Sequence, residues 1–226
     1  MIPDGLQNTW TAVDQYIESQ LVKMDAALEY AQRKSAEAGL PQIAVTASQG
    51  KLLHLLARSV NARAILEIGT LGAYSTIWLA RALSEDGRLV TLEADAKHAE
   101  VSRGNLAHAE LSEQVELREG PALESLPELA AEGLAPFHFI FIDADKENNA
   151  NYFAWAMKLA RPGSLIFVDN VIREGAVANA ASDDPMVLGV RRLNELLERE
   201  SRVVATTIQT VGAKGYDGFT LALVLG

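Results

Sequence analysis

The sequence predicts an α/β fold, a doubly wound three-layer sandwich in which a mostly parallel sheet lies between two layers of helices. Its 226 residues fit one domain, and 49% hydrophobic residues are enough for a sizeable core. From Ala62 onward, short apolar runs alternate with helical stretches. These runs lack polar alternation, which is typical of strands that are buried on both faces of a parallel sheet.

Helices are predicted for residues 1–60, before an α/β core at residues 61–226. No linker separates the two parts, so we expect a single domain over residues 1–226. A second helix is predicted at Gln49–Ser59. The first forty residues are predicted to form a helix, because apolar side chains recur at three- and four-residue steps, and Gly39 with Pro41 ends that run. The residues with this spacing are Val13, Ile17, Leu21, Met24 and Leu28.

The core is predicted to contain five strands, each followed by a helix, and then two strands joined by a glycine-rich loop. The last two could pair antiparallel at one edge of the sheet. The predicted strands are Ala64–Ile68, Leu89–Leu92, Val115–Leu117, Phe137–Ile142, Ser164–Val168, Val203–Ile208 and Phe219–Val224. The predicted helices are Ser75–Leu83, Ala96–His108, Ala122–Ala130, Tyr152–Leu159 and Met186–Glu200.

The composition argues against several classes of function. Lys plus Arg total 20 and Asp plus Glu total 30, which gives a formal net charge of −10. Such an acidic surface repels phosphate backbones, so we expect no nucleic-acid partner. The absence of cysteine excludes disulfides, thiolate zinc sites and a cysteine nucleophile. The N-terminus does not resemble a signal peptide and no long apolar run is present, so we expect a soluble cytoplasmic protein without membrane contact.

The turn after the first predicted strand indicates a positively charged ligand. Ligands of an open parallel sheet bind beyond the carboxyl ends of its strands. Here the strand leads into Glu67, Gly69 and Ser75. Gly69 permits close approach of the backbone, Ser75 can cap the next helix, and Glu67 disfavours a phosphate but favours a cation. A glycine turn without a ligand is equally compatible with this motif alone.

Glu93 ends the second predicted strand and is the candidate ribose-binding residue. Its carboxylate lies 24 residues after Gly69 and can accept two hydrogen bonds from ribose hydroxyls. Together with the first turn, it favours a nucleoside site over a solvated glutamate or a helix cap. The turn that leads into Ala122 could present its backbone to an adenine edge.

Three oxygen-bearing side chains at two neighbouring strand ends indicate a divalent cation. Asp143 follows the fourth predicted strand, and Asp169 with Asn170 follows the fifth. Two carboxylates and an amide suit Mg²⁺, with Mn²⁺ or Ca²⁺ as alternatives. Read singly, each acid is more often a helix cap, but together they predict a metal site.

These motifs together resemble one enzyme family, the cation-dependent class I S-adenosylmethionine-dependent O-methyltransferases of the caffeoyl-coenzyme A and catechol type. The resemblance runs from about Ala44 to the C-terminus. It implies a Rossmann-like methyltransferase fold, with a seven-stranded sheet that has one antiparallel strand, in a homodimer. It implies methyl transfer to a hydroxyl of a phenolic small molecule. The segments that carry it are Glu67–Ser75, Glu93, Glu119–Ala122, Asp143–Lys146 and Asp169–Val171.

The resemblance also implies which residues contact the methyl donor. A sulfonium and an ammonium group suit a pocket lined by carboxylates, in agreement with the reading of the turn above. The implied contacts are Val45 (through its backbone), Glu67 and Gly69 with the methionine part, Ser75 with its carboxylate, Glu93 with the ribose and Ala122 with the adenine. Asp143 would serve both the donor and the metal, and Asp169 and Asn170 would complete the protein ligands.

Lys146 is the candidate general base. It lies three residues after Asp143, so its amine can reach a hydroxyl held at the metal site. The amine would have to be neutral, which a nearby cation favours and the surrounding carboxylates oppose. The resemblance to catechol O-methyltransferase, where a lysine at this spacing is the base, favours catalysis over a salt-bridging role.

The chain departs from the family pattern at two places. The usual Thr-Gly before Tyr-Ser is replaced by Gly72 and Ala73, so the turn is expected to be remodelled locally. Val171 stands where the plant enzymes tend to carry tryptophan, which favours a smaller phenol over a coenzyme A thioester. The following residues 173–184 have few large apolar groups and are predicted to form a mobile lid over the acceptor.

Two other functions are compatible with parts of the pattern. A nicotinamide-dependent dehydrogenase would also use Glu93 at a ribose, but the G-x-G-x-x-G turn is missing. A non-catalytic nucleoside-cofactor-binding protein would use the same pocket with a structural metal. We interpret the sequence as an O-methyltransferase that acts on a catechol-like acceptor.

Overall fold

The computed structural model describes residues 4–226, which form α-helices, seven strands and two short 3₁₀ turns. The helices are α1 (Asp4–Leu21), α2 (Ala26–Glu37), α3 (Ala47–Ser59), α4 (Tyr74–Ala80), α5 (Ala96–His108), α6 (Ala122–Ala131), α7 (Asn149–Leu159) and α8 (Pro185–Arg199). The strands are β1 (Ala64–Ile68), β2 (Arg88–Glu93), β3 (Val115–Glu119), β4 (Phe137–Ile142), β5 (Ala160–Asp169), β6 (Val203–Gly212) and β7 (Gly215–Val224).

The seven strands form one sheet in the order β3-β2-β1-β4-β5-β7-β6. All pairs from β3 to β5 are parallel, whereas β7 runs antiparallel to both of its neighbours, β5 and β6. This confirms the predicted doubly wound sheet with one antiparallel strand near its edge, formed by the last hairpin.

Both faces of the sheet are covered by helices. Along β1, Ile65 packs into a core with α2, α3, α4 and α5, while the next residue, Leu66, packs into a second core with α6, α7 and α8. Both side chains are completely buried. Successive residues of a strand face opposite sides, so burial of both explains why the strand sequences show no polar alternation.

The prediction of a single helix for the first forty residues is wrong, because the helix is interrupted at residues 22–25, between α1 and α2. The first three residues of that prediction lie outside the described part of the chain. Asp25 begins α2, and its carboxylate accepts hydrogen bonds from the backbone N–H groups of Ala27 and Leu28, both at 3.1 Å. An aspartate cap competes with helix continuation, which outweighs the continuous apolar spacing.

The register between the central strands positions the functional site. Ile68 of β1 pairs with Leu92 of β2 on one side and with Ile142 of β4 on the other, and Ile142 pairs with Val168 of β5. The residues that follow these four therefore lie in one row at the carboxyl edge of the sheet. They are Gly69, Glu93, Asp143 and Asp169.

Within residues 4–226, no helix combines the length and the apolar character that a membrane crossing requires.

Close backbone packing between α8 and the 3₁₀ turn that begins at Lys146 generates the first prediction. A Cβ atom at Gly189 would lie 2.1 Å from the carbonyl oxygen of Lys146, so an alanine there must displace backbone. We expect Gly189→Ala to lower the free energy of unfolding by about 1–3 kcal/mol, as overpacking does. Urea denaturation measures this.

Gly104 provides the matched control, because a Cβ atom there meets nothing within 4 Å in the middle of α5. We expect Gly104→Ala to raise stability by about 0.5–1 kcal/mol, since alanine is the better helix former. Equal effects of the two substitutions would contradict the packing argument.

Candidate active site

A cavity of about 1270 Å³ lies at the carboxyl edge of the sheet. Its walls come from the segments that follow β1, β2, β3, β4 and β5, from residues 42–49 and from the β6–β7 hairpin. Nine of the ten site residues predicted from the sequence line this cavity. They are Val45, Gly69, Ser75, Glu93, Ala122, Asp143, Lys146, Asp169 and Asn170.

The tenth predicted residue, Glu67, lies beneath the cavity floor and is completely buried. Its carboxylate accepts hydrogen bonds from the hydroxyls of Ser75 (2.6 Å), Thr76 (2.5 Å) and Thr91 (2.7 Å). Burial raises the pKa of Glu67 to about 7, although the three hydroxyls oppose the shift. Glu67 is therefore a buried acid that orders the loop after β1.

Ser75 does not cap α4, contrary to the sequence-based expectation. It lies inside the first turn, and the residue that precedes the helix is Ala73, which makes no side-chain cap. The Ser75 hydroxyl donates to Glu67 instead. The prediction placed Ser75 correctly at the helix start. Its hydroxyl, however, donates to the buried carboxyl group of Glu67 and does not accept from the backbone N–H groups of the helix.

The loop after β1 approaches β4 so closely that only glycine fits at its start. A Cβ atom at Gly69 would lie 2.2 Å from the carbonyl oxygen of Asp143, and φ is +100°. At the departure from the family pattern, Ala73 adopts a left-handed conformation with φ +62°. Gly72 is required for a different reason, because its Cβ would lie 2.0 Å from the Ser35 hydroxyl.

Glu93 is buried beside this loop, with its carboxylate at the cavity wall. One carboxylate oxygen accepts hydrogen bonds from the backbone N–H groups of Leu71 (2.7 Å) and Thr70 (3.2 Å), and the other accepts from Asp95 N–H (2.9 Å). His98 also approaches, with its Nδ1 at 3.5 Å. Asp95, rather than Glu93, caps α5, so the helix-cap alternative for Glu93 is excluded.

Lys146 and Asp143 form a close pair between β4 and α7. The Lys146 amine lies 2.7 Å from Asp143 Oδ1, and only 6% of Lys146 is exposed. Because a buried ammonium without a partner would be costly, the carboxylate is what keeps this amine at the cavity wall.

Asp169 has a partner that sequence reasoning did not identify. The Gln49 side-chain amide donates to Asp169 Oδ2 at 2.6 Å, from helix α3 on the opposite wall. Burial, and then the charge of Asp143, raise the pKa of Asp169 to about 7, while Lys146, the Asn170 N–H and Gln49 oppose the shift. No local sequence signal connects Gln49 with Asp169, because the two are 120 residues apart.

Asp143, Asp169 and Asn170 all line the cavity, at the ends of the neighbouring strands β4 and β5. Among residues 4–226 there is no group of three or more His, Cys, Asp or Glu side chains arranged to hold a metal ion. The set here differs in having two carboxylates and one amide. Its chemistry fits a hard divalent cation, which takes all-oxygen ligands and keeps water or substrate in its other positions.

The buried Glu67 generates a prediction on pH. Its pKa rises from 4.5 in the unfolded chain to about 7 in the folded protein, so the folded protein retains a proton that the unfolded chain loses. Stability from this group is complete below pH 4.5 and is lost as the pH rises to 7. We expect the loss to total about 3 kcal/mol, and Glu67→Gln to remove most of it. Parallel stability–pH curves for the two proteins in urea denaturation would refute this.

The comparisons with known proteins agree with the geometry of the cavity. The profile of a family described as O-methyltransferase matches residues 18–225. The catechol O-methyltransferase of Mycobacterium tuberculosis is 53% identical over 212 residues, which cover 94% of this chain and 94% of that protein.

Solved structures show the same similarity. The structure of the O-methyltransferase from Bacillus cereus in complex with SAH has a TM-score of 0.95 at 56% identity and covers 96% of this chain and 99% of that one. The O-methyltransferase TomG from Streptomyces achromogenes, in complex with SAM, has a TM-score of 0.95 at 54% identity, with both chains fully covered. The resemblance drawn from the sequence motifs is thus confirmed, and the chain belongs to the O-methyltransferase family.

Proposed function

We propose that this O-methyltransferase transfers the methyl group of S-adenosylmethionine to one hydroxyl of a catechol-like acceptor, with a bound divalent cation. The observation that carries the proposal is the juxtaposition, in one cavity, of a buried lysine with oxygen ligands from two neighbouring strand ends. The names of the relatives support it, since one is a catechol O-methyltransferase and two structures hold SAH or SAM.

The donor is proposed to lie along the row of strand ends. Glu93 would accept hydrogen bonds from the ribose hydroxyls, and Ala122 would border the adenine. At the other end, Val45, Gly69 and Ser75 would surround the methionine part. The sulfonium and ammonium groups carry positive charge, and the acidic wall of the cavity would stabilise it.

The cation is proposed to bind at Asp143, Asp169 and Asn170, with Mg²⁺ as the first choice. When bound, such an ion would supply Lewis-acid polarisation of both acceptor oxygens. When both carboxylates are ionised they carry two negative charges, and Lys146, which must be neutral to act as a base, would balance neither of them. This unbalanced negative charge favours the binding of a divalent cation at the site.

Lys146 is proposed to remove the proton from the acceptor hydroxyl. A free phenol has a pKa of about 10, so about one molecule in a thousand is ionised at pH 7, and a base near the oxygen lowers this barrier. The proton would move to the lysine amine while the oxygen forms a bond to the methyl carbon. The carbon–sulfur bond would break with its electron pair going to sulfur, which leaves S-adenosylhomocysteine and the methyl ether.

The remaining sequence-based expectations stay as proposals. We propose a homodimer, because large apolar side chains of α1 and of the edge strand β6 are exposed, and such surfaces favour association. They include Val13 (50% exposed), Tyr16 (68%), Leu21 (72%) and Val204 (61%). A cytoplasmic protein without nucleic-acid or membrane partners is also proposed.

The predicted lid at residues 173–184 begins with a 3₁₀ turn at Arg173–Ala178 in the structure. Arg173 and Glu174 there adopt left-handed conformations, with φ of 53° and 55°. Non-glycine residues in this conformation are strained, and such strain is common at segments that move. We propose that this segment closes over the acceptor.

The ribose assignment predicts that Glu93→Ala weakens S-adenosylmethionine binding by about 1–3 kcal/mol in calorimetry, because two hydroxyls lose a charged acceptor. Metal affinity should hardly change. Glu119→Ala is the control, since Glu119 ends the neighbouring strand β3 but pairs with Arg103 on the surface. Wild-type donor affinity in Glu93→Ala would refute the assignment, and binding of NAD in place of the donor would favour the dehydrogenase.

The cation and base assignments predict separable losses. We expect EDTA or Asp169→Ala to abolish methyl transfer to catechol while donor binding survives, because ligands of the cation are removed. We expect Lys146→Ala to lower turnover by roughly 10²–10⁴, the range for loss of a general base. Radiolabelled methyl transfer measures both.

Lys158→Ala is the matched control, because Lys158 lies over the Trp155 ring and does not line the cavity. Full activity in EDTA would contradict the cation, and full activity of Lys146→Ala at neutral pH would contradict the base. A chain that binds donor and cation but methylates no catechol would favour the non-catalytic alternative.

A further inference from the structure

A lysine on the turn between β6 and β7 lies at the mouth of the cavity. The two strands pair up to Gly212 and Gly215, so Ala213 and Lys214 form the turn itself. Lys214 lines the main cavity, and it also lines a smaller cavity of about 460 Å³ behind residues 41–47.

Helix α1 holds this turn in place. The backbone N–H of Ala213 donates to Asp14 Oδ2 at 2.7 Å. The Gln7 side-chain amide donates to the carbonyl oxygens of Gly212 (3.0 Å) and Ala213 (3.3 Å). Because both backbone groups of the residue before Lys214 are bonded to α1, the start of the lysine side chain is fixed at the cavity mouth.

Lys214 differs from the other two lysine or arginine side chains of the cavity wall. Lys146 is paired with Asp143 at 2.7 Å, and Arg173 is paired with Asp217 at 3.8 Å. Within the side chains of residues 5–226, no carboxylate lies at ion-pair distance from Lys214. Among the described residues of the cavity wall, Lys214 is therefore the one lysine or arginine without a close ion-pair partner.

The order of the strands shows which end of the cavity this turn adjoins. Strand β7 pairs with β5, whose last residue is Asp169, whereas three strands separate β7 from β2, whose last residue is Glu93. Partial burial lowers the pKa of Lys214, and the charges of Asp143 and Asp169 oppose that shift. The turn therefore lies on the side of the sheet where the acceptor would bind, and an amine that enters the cavity from this side is placed to meet a substituent of the acceptor.

We propose that Lys214 binds a carboxylate carried by the acceptor, so that the enzyme prefers catechols with an acidic substituent. This inference rests on the proposed function, because it names the substrate class of the same site. In a cavity with excess negative charge, an anionic acceptor would be repelled unless a positively charged side chain paired with it. Lys214 supplies that positive charge and is therefore a specificity-determining residue.

A carboxylate at Lys214 could also come from the donor, whose methionyl end would lie near Val45. Val45 and Lys214 both line the smaller cavity. The shared chemistry is an ammonium–carboxylate pair, and the position of the turn beside β5 favours the acceptor as its source. The experiment must therefore measure donor and acceptor separately.

The test compares protocatechuate with protocatechuamide, which has nearly the same shape without the charge. We expect Lys214→Met to lower the ratio of kcat/KM for the acid over the amide by about 10- to 100-fold, the effect of losing one charge-assisted hydrogen bond. Lys214→Arg should retain most of the ratio, and Lys158→Met should leave it unchanged. Calorimetry measures the affinity of each protein for S-adenosylmethionine and for protocatechuate.

An unchanged acid-to-amide ratio in Lys214→Met would overturn the proposal. Loss of donor affinity with a constant ratio would overturn it too, and would assign Lys214 to the donor carboxylate. If the wild type methylates neither acceptor, the proposed function fails, and the calorimetry still decides this inference. Weaker protocatechuate binding by Lys214→Met supports it, and equal binding refutes it.

Discussion

The register between the parallel strands is the constraint on which the rest of the site depends. Ile68, Leu92, Ile142 and Val168 lie side by side as buried residues, and the residue that follows each of them lines the cavity. Because side chains alternate across a sheet, a slip of one residue in any pair would turn its functional group towards the helices. The tight core on both faces excludes such a slip, so apolar packing holds the polar row together.

The carboxylates of this row carry a cost that the surrounding residues offset in different ways. Glu67 accepts hydrogen bonds from three hydroxyls and orders the loop after β1. Glu93 accepts hydrogen bonds from three backbone N–H groups, which stabilise its negative charge and fix the loops that carry them. Asp143 and Asp169 share one lysine, and this incomplete neutralisation is what suits them to a cation. The acids of this row thus differ in the groups that stabilise them: hydroxyls, backbone N–H groups or a shared lysine.

The strands, most helices and the place of nine candidate residues at the cavity could be predicted from the sequence, because they depend on local periodicity, on the rule that ligands bind at strand ends, or on the family resemblance. Long-range contacts could not be predicted. The side chain of Gln49 donates to Asp169 from helix α3, and the hydroxyl of Ser75 donates to the buried Glu67 instead of capping the helix. Lys214 lies in an unremarkable glycine-rich turn, and only its clamping by α1 places it at the cavity. The break before Asp25 was missed because the apolar spacing continues across it.

Methyl transfer to catechol and to phenol, compared under the same conditions with Mg²⁺, tests the central claim most directly. Phenol has the same ring but one hydroxyl, so it lacks the second oxygen through which the acceptor would be aligned. If the row of strand ends aligns the acceptor through both oxygens, radiolabelled methyl groups should appear on catechol and be nearly absent from phenol. Equal transfer to both acceptors would contradict the account, because the second oxygen would then have no role.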